Sequence, residues 1–248
     1  MKRIFLFSAL MLMLGTLAAD AQNRFIHVYQ NGTVVQSFPV EEVDSIIVST
    51  EYAGAGKAVD LGLPSGTLWA DRNIGADSPE GYGDYFAWGE TSPKSVYNWS
   101  TYKYCKGSID TMTKYCTDSS YGTVDNKPVL EAADDAATAN WGSNWRMPSR
   151  WEQLELIDKC TWTWTTSNGV NGYKVVGPNG NSIFLPAAGW RNDSSVDYAG
   201  SLGDYLSASL YQNGPYNAWS LYFGSGFHES FGMYRCTGHS VRAVARKN

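Results

Sequence analysis

Charged residues are scarce in this chain. Asp, Glu, Lys and Arg together make up 17% of its 248 residues, whereas about a quarter is usual in globular domains. Acidic residues outnumber basic ones, so the formal net charge is −5. A sparse, net acidic charge does not favour binding to nucleic acid or to an anionic membrane surface. We therefore expect no nucleic-acid partner.

Several motifs of catalysis and metal binding are also absent. None of the cysteines forms a C-x-x-C pair, which argues against a zinc ribbon and against a thioredoxin-like site. No G-x-S-x-G sequence is present, so the nucleophile elbow of serine hydrolases is excluded. Beyond the N-terminal segment, no apolar run approaches the roughly 20 residues of a membrane-spanning helix. We therefore expect no membrane span.

The N-terminal segment has a pattern of its own. It reads MKRIFLFSALMLMLGTLAADAQ, in which two basic residues precede an apolar run and Ala19-Asp20-Ala21 supplies the small residues of a cleavage site. This is the pattern of a secretory signal peptide. We expect residues 1–21 to be removed and the remainder to be secreted, periplasmic or displayed on the cell surface. No cysteine stands at the cleavage point, so a lipid anchor is not indicated.

The cysteines are few but even in number. In an oxidising compartment an even count favours disulfides, and four cysteines allow three pairings, all of which stay open. The shortest loop to close is the one between Cys105 and Cys116. The possible disulfide cysteines are Cys105, Cys116, Cys160 and Cys236.

The pattern along the chain suggests a small segment followed by one large domain. Residues 22–50 alternate apolar and polar side chains around Asn31-Gly32, which predicts a β-hairpin with a type I′ turn. A third short strand is expected at residues 45–48. Residues 51–57 are interpreted as a linker, and the main domain is expected to span residues 58–248.

Two segments of the main domain have helical periodicity, VLEAADDAATANWG and MPSRWEQLELIDKC. In the second, Ser149 and Glu152 form a capping box, and we expect the helix to bury Trp151, Leu154 and Ile157 or their neighbours. The later segments GYKVVG, SIFLPAAG, AWSLYFG and HSVRAVA are interpreted as short strands separated by turns. Two early helices followed by strands predict an α+β domain.

Five blocks of this domain carry a resemblance to a known family. They are VDLGLPSGTLWADRNIGA, GDYFAWGET, DDAATANWGSNWRMPSRWE, SIFLPAAGWR and GHSVRAV, in that order. Together they resemble the Fibrobacter succinogenes major paralogous domain family, which is common in exported proteins of Bacteroidetes-like bacteria. The resemblance implies a C-type-lectin-like fold related to formylglycine-generating enzymes. Such a fold has a twisted antiparallel sheet, two flanking helices, long structured loops and terminal strands that lie close together.

The functional residues of these related groups do not carry over. The calcium site of sugar-binding C-type lectins uses a Trp-Asn-Asp strand, and here Arg191 interrupts that order in GWRND. Formylglycine-generating enzymes use two closely spaced C-terminal cysteines, and here Cys236 stands alone. Arg191, Ser240 and Arg242 are expected to tie the last strand to the loops. We expect no metal, no cofactor and no catalysis.

Residues 207–239 are rich in Tyr, Ser, Gly and Asn, the residue types that supply adaptable contacts in binding loops. This fold also resembles the variable proteins of diversity-generating retroelements, in which the mutated positions cluster just before a C-terminal strand like SVRPV, here SVRAV. That resemblance implies a ligand-binding face for a protein or a glycan. The candidate residues are Tyr211, Asn213, Tyr216, Asn217, Phe227, His228, Glu229, Ser230, Met233 and Tyr234.

Three functions are compatible with these patterns. The first is an exported binding module. The second is a structural surface component, such as an adhesin or a pilus-associated protein, in which the N-terminal hairpin meets a cell-surface assembly partner. The third is a formylglycine-generating-like enzyme. The composition of residues 207–239 favours the first.

Overall fold

The computed structural model describes residues 24–30, 33–42 and 54–246. The chain divides into two compact units, residues 1–52 and residues 53–248. In the first unit, strands β1 (Phe25–Gln30) and β2 (Thr33–Pro39) pair antiparallel, and a 3-10 turn follows at Val40–Glu42. The predicted turn at Asn31-Gly32, the predicted strand at residues 45–48 and the predicted signal peptide lie outside the described residues.

The second unit is built mainly from short antiparallel strands, as a stretch of alternating side chains punctuated by Gly and Asn would favour. In chain order its strands are β3 (Ala58–Asp60), β4 (Thr67–Ala70), β5 (Trp145–Arg146), β6 (Thr161–Ser167), β7 (Val170–Val176), β8 (Ser182–Pro186), β9 (Trp190–Asn192), β10 (Ser195–Asp197), β11 (Leu202–Leu210), β12 (Asn217–Gly224), β13 (Phe227–Tyr234) and β14 (Val244–Arg246). Its helices are α1 (Ala136–Trp141) and α2 (Arg150–Lys159), with 3-10 turns at Trp99–Thr101, Ser119–Tyr121 and Ala132–Asp134. The prediction of an α+β architecture is confirmed at this level.

The strands form four sheets in the second unit. Their orders are β3-β4-β14-β5, β6-β7-β8, β9-β10 and β11-β12-β13, and all the pairs are antiparallel. Strand β14 lies between β4 and β5. The last described strand of the unit therefore pairs with β4, which is near the beginning of the unit. Strand β13 lies at the edge of its sheet, and among the described residues no strand pairs with its outer side.

Helix α1 is shorter than the sequence predicts. The helical segment breaks at Asp135, whose backbone is extended and whose carboxylate accepts hydrogen bonds from the backbone N–H groups of Thr138 and Met147. Asp135 therefore acts as the N-cap of α1. The residues before it, Ala132–Asp134, form a separate 3-10 turn.

Helix α2 begins with the predicted capping box, in which Ser149 and Glu152 bond each other's backbone N–H groups. Of the residues expected to be buried, or their neighbours, Trp151 itself is 73% exposed. The helix instead buries Gln153 and Leu156. The amide of Gln153 donates to the backbone carbonyl of Tyr205, so a polar residue occupies a core position with a partner.

The C-terminal segment is less regular than the predicted strand HSVRAVA. Only Val244–Arg246 is a strand, and the preceding residues form single bridges to three separate segments, at Phe86, Arg191 and Tyr205. The guanidinium of Arg242 is fully buried there and donates to Asn73 Oδ1 and to two backbone carbonyls. Arg242 thus ties the segment before β14 to strands β4 and β8 as well as to the loop at Asn73, whereas the sequence suggested loops alone.

Candidate binding site

A groove of about 490 Å³ opens between strand β9 and the edge strand β13. Its volume lies within the usual range of ligand pockets, roughly 300–1,000 Å³. The groove is lined by Trp190, Asn192, Tyr216, Asn217, Phe231, Gly232, Met233, Tyr234 and Thr237. No lining residue is Asp, Glu, Lys, Arg or His, so the wall consists of aromatic, amide and hydroxyl groups together with Gly232 and the thioether of Met233.

The β9-β10 hairpin holds one wall of the groove in place. Gly189 precedes it with φ +63°, and a Cβ at this position would lie 2.0 Å from the carbonyl oxygen of Asp197. Only glycine tolerates both the left-handed backbone and this close approach. The backbone of Arg191 then exchanges hydrogen bonds of 2.6 and 2.9 Å with Gly238. These contacts fix the position of Trp190 at the start of β9.

Aromatic side chains extend from the groove across the outer face of the β11-β12-β13 sheet. The ring of Trp190 lies 4.8 Å from that of Tyr198 and 6.4 Å from that of Tyr222. Tyr222 in turn lies 5.3 Å from Phe227 and 5.9 Å from Phe231. Tyr198, Phe227 and Phe231 are exposed. Contiguous exposed apolar surface next to a groove is characteristic of interaction sites. We call these five residues the aromatic face.

The polar groups of the groove differ in whether they already have a hydrogen-bond partner. The Oδ1 atom of Asn217 is buried and accepts no hydrogen bond from the described residues. The Thr237 hydroxyl donates to the carbonyl of Tyr234 at 2.7 Å and lies 2.7 Å from Nε2 of His239. His239 is fully buried, and its Nδ1 lies 3.3 Å from Oδ1 of the buried Asp204. The groove therefore presents hydroxyl and amide groups, and the ionisable pair of His239 and Asp204 is buried behind them.

The structure brings four of the ten predicted site residues together in the groove: Tyr216, Asn217, Met233 and Tyr234. The rings of Tyr216 and Tyr234 lie 6.1 Å apart. Phe227 belongs to the neighbouring aromatic face. Glu229 is exposed on the same side of β13, two residues along the strand.

The structure places the other predicted residues elsewhere. His228 lies on the opposite face of β13, stacked on Trp162 at 4.5 Å, and burial lowers the pKa of its imidazole. Ser230 accepts a hydrogen bond from Arg150 of helix α2, and Tyr211 packs on Trp219 at 4.5 Å. Asn213 is exposed in a turn outside the groove and is not among its lining residues. Alternation along β13 sends neighbouring side chains to opposite faces, so the predicted residues could not form one surface.

Five groove residues did not follow from the sequence: Trp190, Asn192, Phe231, Gly232 and Thr237. Phe231 could have been found, because it shares its strand face with Phe227 and Glu229 at steps of two residues. Trp190 lies within the family block SIFLPAAGWR and is more easily interpreted as core. Its half-buried position beside the groove depends on the packing of the β9-β10 hairpin.

The four cysteines are free thiols in the structure, so the expected disulfides are not formed. The thiol of Cys105 donates to the carbonyl of Trp99, and that of Cys116 to the carbonyl of Asp118. These local partners orient the two thiols separately, and the short loop stays open. Burial raises the pKa of Cys236 to about 12 and that of Cys160 to about 11. A protonated thiol is a poor nucleophile and a poor metal ligand.

Comparison with protein-family models, with curated proteins and with solved structures finds no match to the chain. Within residues 24–30, 33–42 and 54–246, no three His, Cys, Asp or Glu side chains cluster in a way that could hold a metal ion. Over the same residues, no helix has the length and apolar character needed to cross a membrane.

Proposed function

We propose that the chain is an exported bacterial binding module, which holds a protein or glycan ligand in the groove between β9 and β13 and against the aromatic face. The observation that carries this proposal is the continuity of the groove with exposed aromatic rings, from Trp190 through Tyr222 to Phe227 and Phe231. Aromatic side chains dominate binding energy at protein surfaces, because they bury much area at a small entropic cost.

We further propose that the larger unit is a C-type-lectin-like domain of the Fibrobacter succinogenes major paralogous domain family. The five ordered sequence blocks support this assignment. The antiparallel sheets, the two helices and the pairing of β14 with β4 are compatible with it. Export is proposed on the pattern of residues 1–21 alone.

A role in binding without catalysis accounts for the lining of the groove. General acid or base catalysis requires an ionisable group within hydrogen-bond reach of the substrate. The lining contains no Asp, Glu, His, Lys or Cys, so its ionisable groups are the hydroxyls of Tyr216 and Tyr234, and the protonated, buried thiol of Cys236 does not suit a formylglycine-generating-like activity. The groove is therefore proposed as a recognition site.

A second candidate is a structural component of the cell surface. It is favoured by the N-terminal hairpin, in which Phe25, Val34, Val35 and Val40 are exposed. Exposed apolar residues on a two-stranded ribbon favour contact with a further partner, because such a ribbon cannot bury its apolar side chains alone. This function is compatible with ligand binding by the larger unit.

Two alanine substitutions test the proposal, one at a tryptophan of the groove and one at a tryptophan away from it. Trp190→Ala removes an anchor of the groove, whereas Trp151→Ala removes an exposed tryptophan of helix α2. We expect Trp190→Ala to abolish binding of the purified chain to its targets on protein and glycan arrays, and Trp151→Ala to leave these signals unchanged. Circular dichroism should show the same fold for both variants. Signals that survive Trp190→Ala, or that Trp151→Ala removes equally, would place recognition elsewhere.

A further inference from the structure

The groove carries no charge on its lining, and this restricts its ligand. A charged ligand group loses hydration on entering a partly enclosed site, and only a counter-charge or several hydrogen bonds can compensate for that loss. Asp204 lies behind His239 and Thr237 and is fully buried, and the exposed Glu229 lies on the neighbouring aromatic face, outside the groove lining. Phosphorylated, sulfated or strongly acidic ligands therefore find no cationic partner on the groove wall, and basic ligands find no anionic one.

The polar groups of the lining suit a ligand with many hydroxyl groups. The amides of Asn192 and Asn217 each carry donors and an acceptor, and the hydroxyls of Tyr216 and Tyr234 can both donate and accept, whereas the Thr237 proton is already donated to the carbonyl of Tyr234. A ligand hydroxyl also donates and accepts, so it can match each of these groups. The Oδ1 of Asn217 is a buried acceptor without a partner in the described residues. Leaving such a group unpaired is costly, and a ligand O–H would pair with it once the Asn217 amide turns towards the groove.

The aromatic rings supply the apolar half of the site. Phe231 and Tyr234 are exposed by about half, and Trp190 and Tyr216 complete the wall. The face of an aromatic ring is electron-rich, so it attracts the slightly positive C–H groups on one face of a pyranose ring. Flat rings beside neutral amide and hydroxyl groups match a molecule whose faces are aliphatic and whose rim consists of hydroxyls.

We propose that the groove binds a neutral saccharide, stacked on its aromatic rings and hydrogen-bonded by Asn217 and its polar neighbours. This inference rests on the proposed binding function and specifies the class of ligand. Because no lining residue is a carboxylate, the saccharide is held directly by the side chains, without a bridging calcium ion.

The test uses the purified full-length chain on an array of neutral gluco-, galacto-, manno- and xylo-oligosaccharides, beside sialylated and sulfated ones and a set of purified proteins. We expect binding to neutral oligosaccharides in the presence of EDTA. Between about 0.05 and 1 M salt the affinity should change by less than about twofold, because screening weakens only charged contacts. Asn217→Ala should lower the affinity about tenfold or more, since it removes the buried acceptor. Asn213→Ala is the matched control in an exposed turn and should have no effect.

The alternative outcomes separate the two proposals. Binding only to sialylated or sulfated glycans, or binding that EDTA or salt abolishes, overturns the neutral-saccharide inference and leaves the binding function standing. Suppose that the array shows binding to proteins, that Trp190→Ala abolishes this binding, and that no saccharide is bound. That result also overturns the neutral-saccharide inference and leaves the binding function standing. Equal losses in Asn217→Ala and Asn213→Ala also overturn the inference. If no signal of either kind depends on the groove, both proposals fail.

Discussion

Replacing Glu152 by glutamine removes one charge from the most heavily bonded carboxylate at the start of helix α2. Both oxygens of Glu152 bind the guanidinium of Arg146, at 2.7 and 2.5 Å. The carboxylate also accepts from the hydroxyl of Thr67, and from the backbone N–H and hydroxyl of Ser149. The side chain is 12% exposed, so water screens these contacts only weakly. Glutamine has nearly the same size, but it carries no charge and turns one acceptor into a donor.

The expected loss follows from the pKa of this carboxyl. Burial alone would raise it, but the hydrogen bonds from Arg146, Ser149 and Thr67 outweigh burial and lower the pKa from 4.5 to about 2. Each pKa unit corresponds to about 1.4 kcal/mol, so the charged form stabilises the folded chain at pH 7 by about 3 kcal/mol. Because the folded-state pKa is the lower one, this contribution is fully present above pH 4.5. It is lost progressively as the pH falls from 4.5 towards 2.

Urea denaturation followed by tryptophan fluorescence measures the effect. At pH 7 we expect Glu152→Gln to lower the free energy of unfolding by about 3 kcal/mol, and at pH 3 the gap between wild type and variant should shrink to roughly half. Glu229→Gln serves as the control, because Glu229 is exposed and has no ion pair among the described residues. It should change the free energy by less than about 0.5 kcal/mol. A loss below about 1 kcal/mol at pH 7, or a gap that is equal at both pH values, would refute the reasoning.

Two further substitutions test other parts of the fold. Asp134→Asn should lower the free energy of unfolding by about 3 kcal/mol in the same urea assay, because it removes the charge of a buried carboxylate that forms a 2.5 Å ion pair with Lys114. A change within about 0.5 kcal/mol of wild type, the usual effect of a surface substitution, would contradict this. Gly189→Ala should lower the melting temperature far more than Gly180→Ala, because the new Cβ would meet the carbonyl of Asp197 at 2.0 Å, whereas nothing lies within 4 Å at Gly180. Both glycines have positive φ, so alanine strains the backbone at either position. Equal shifts of the melting temperature would show that this strain, and not the close contact, causes the loss of stability.

Local patterns predicted local structure well. The capping box of Ser149 and Glu152 is a contact between residues three positions apart, so its geometry depends on the helix alone. The same holds for the alternating segments that became β7, β8 and β12. The break before helix α1 was missed because Asp135 is held by the backbone of Met147, which lies outside the periodic segment.

The candidate site could be predicted only in part. Residues 207–239 were selected for their composition, and four of the ten predicted residues line the groove. Composition does not distinguish the two faces of β13, so His228 was grouped with Phe227 although it stacks on Trp162 on the other side. Nor could it place Trp190 beside Tyr234, since these residues come from distant parts of the chain and meet only when β9 pairs with Gly238.

The amino-acid sequence by itself determined the capping box of helix α2, the strand segments at β7, β8 and β12, and the low charge of the binding region, because these depend on neighbouring residues and on composition. Only the tertiary structure decided which side of each strand faces solvent, where Glu152 finds Arg146 and Thr67, and which rings surround the groove. These features arise from packing between segments far apart in the chain. Such packing selects one face of each element for burial and leaves the other free to bind.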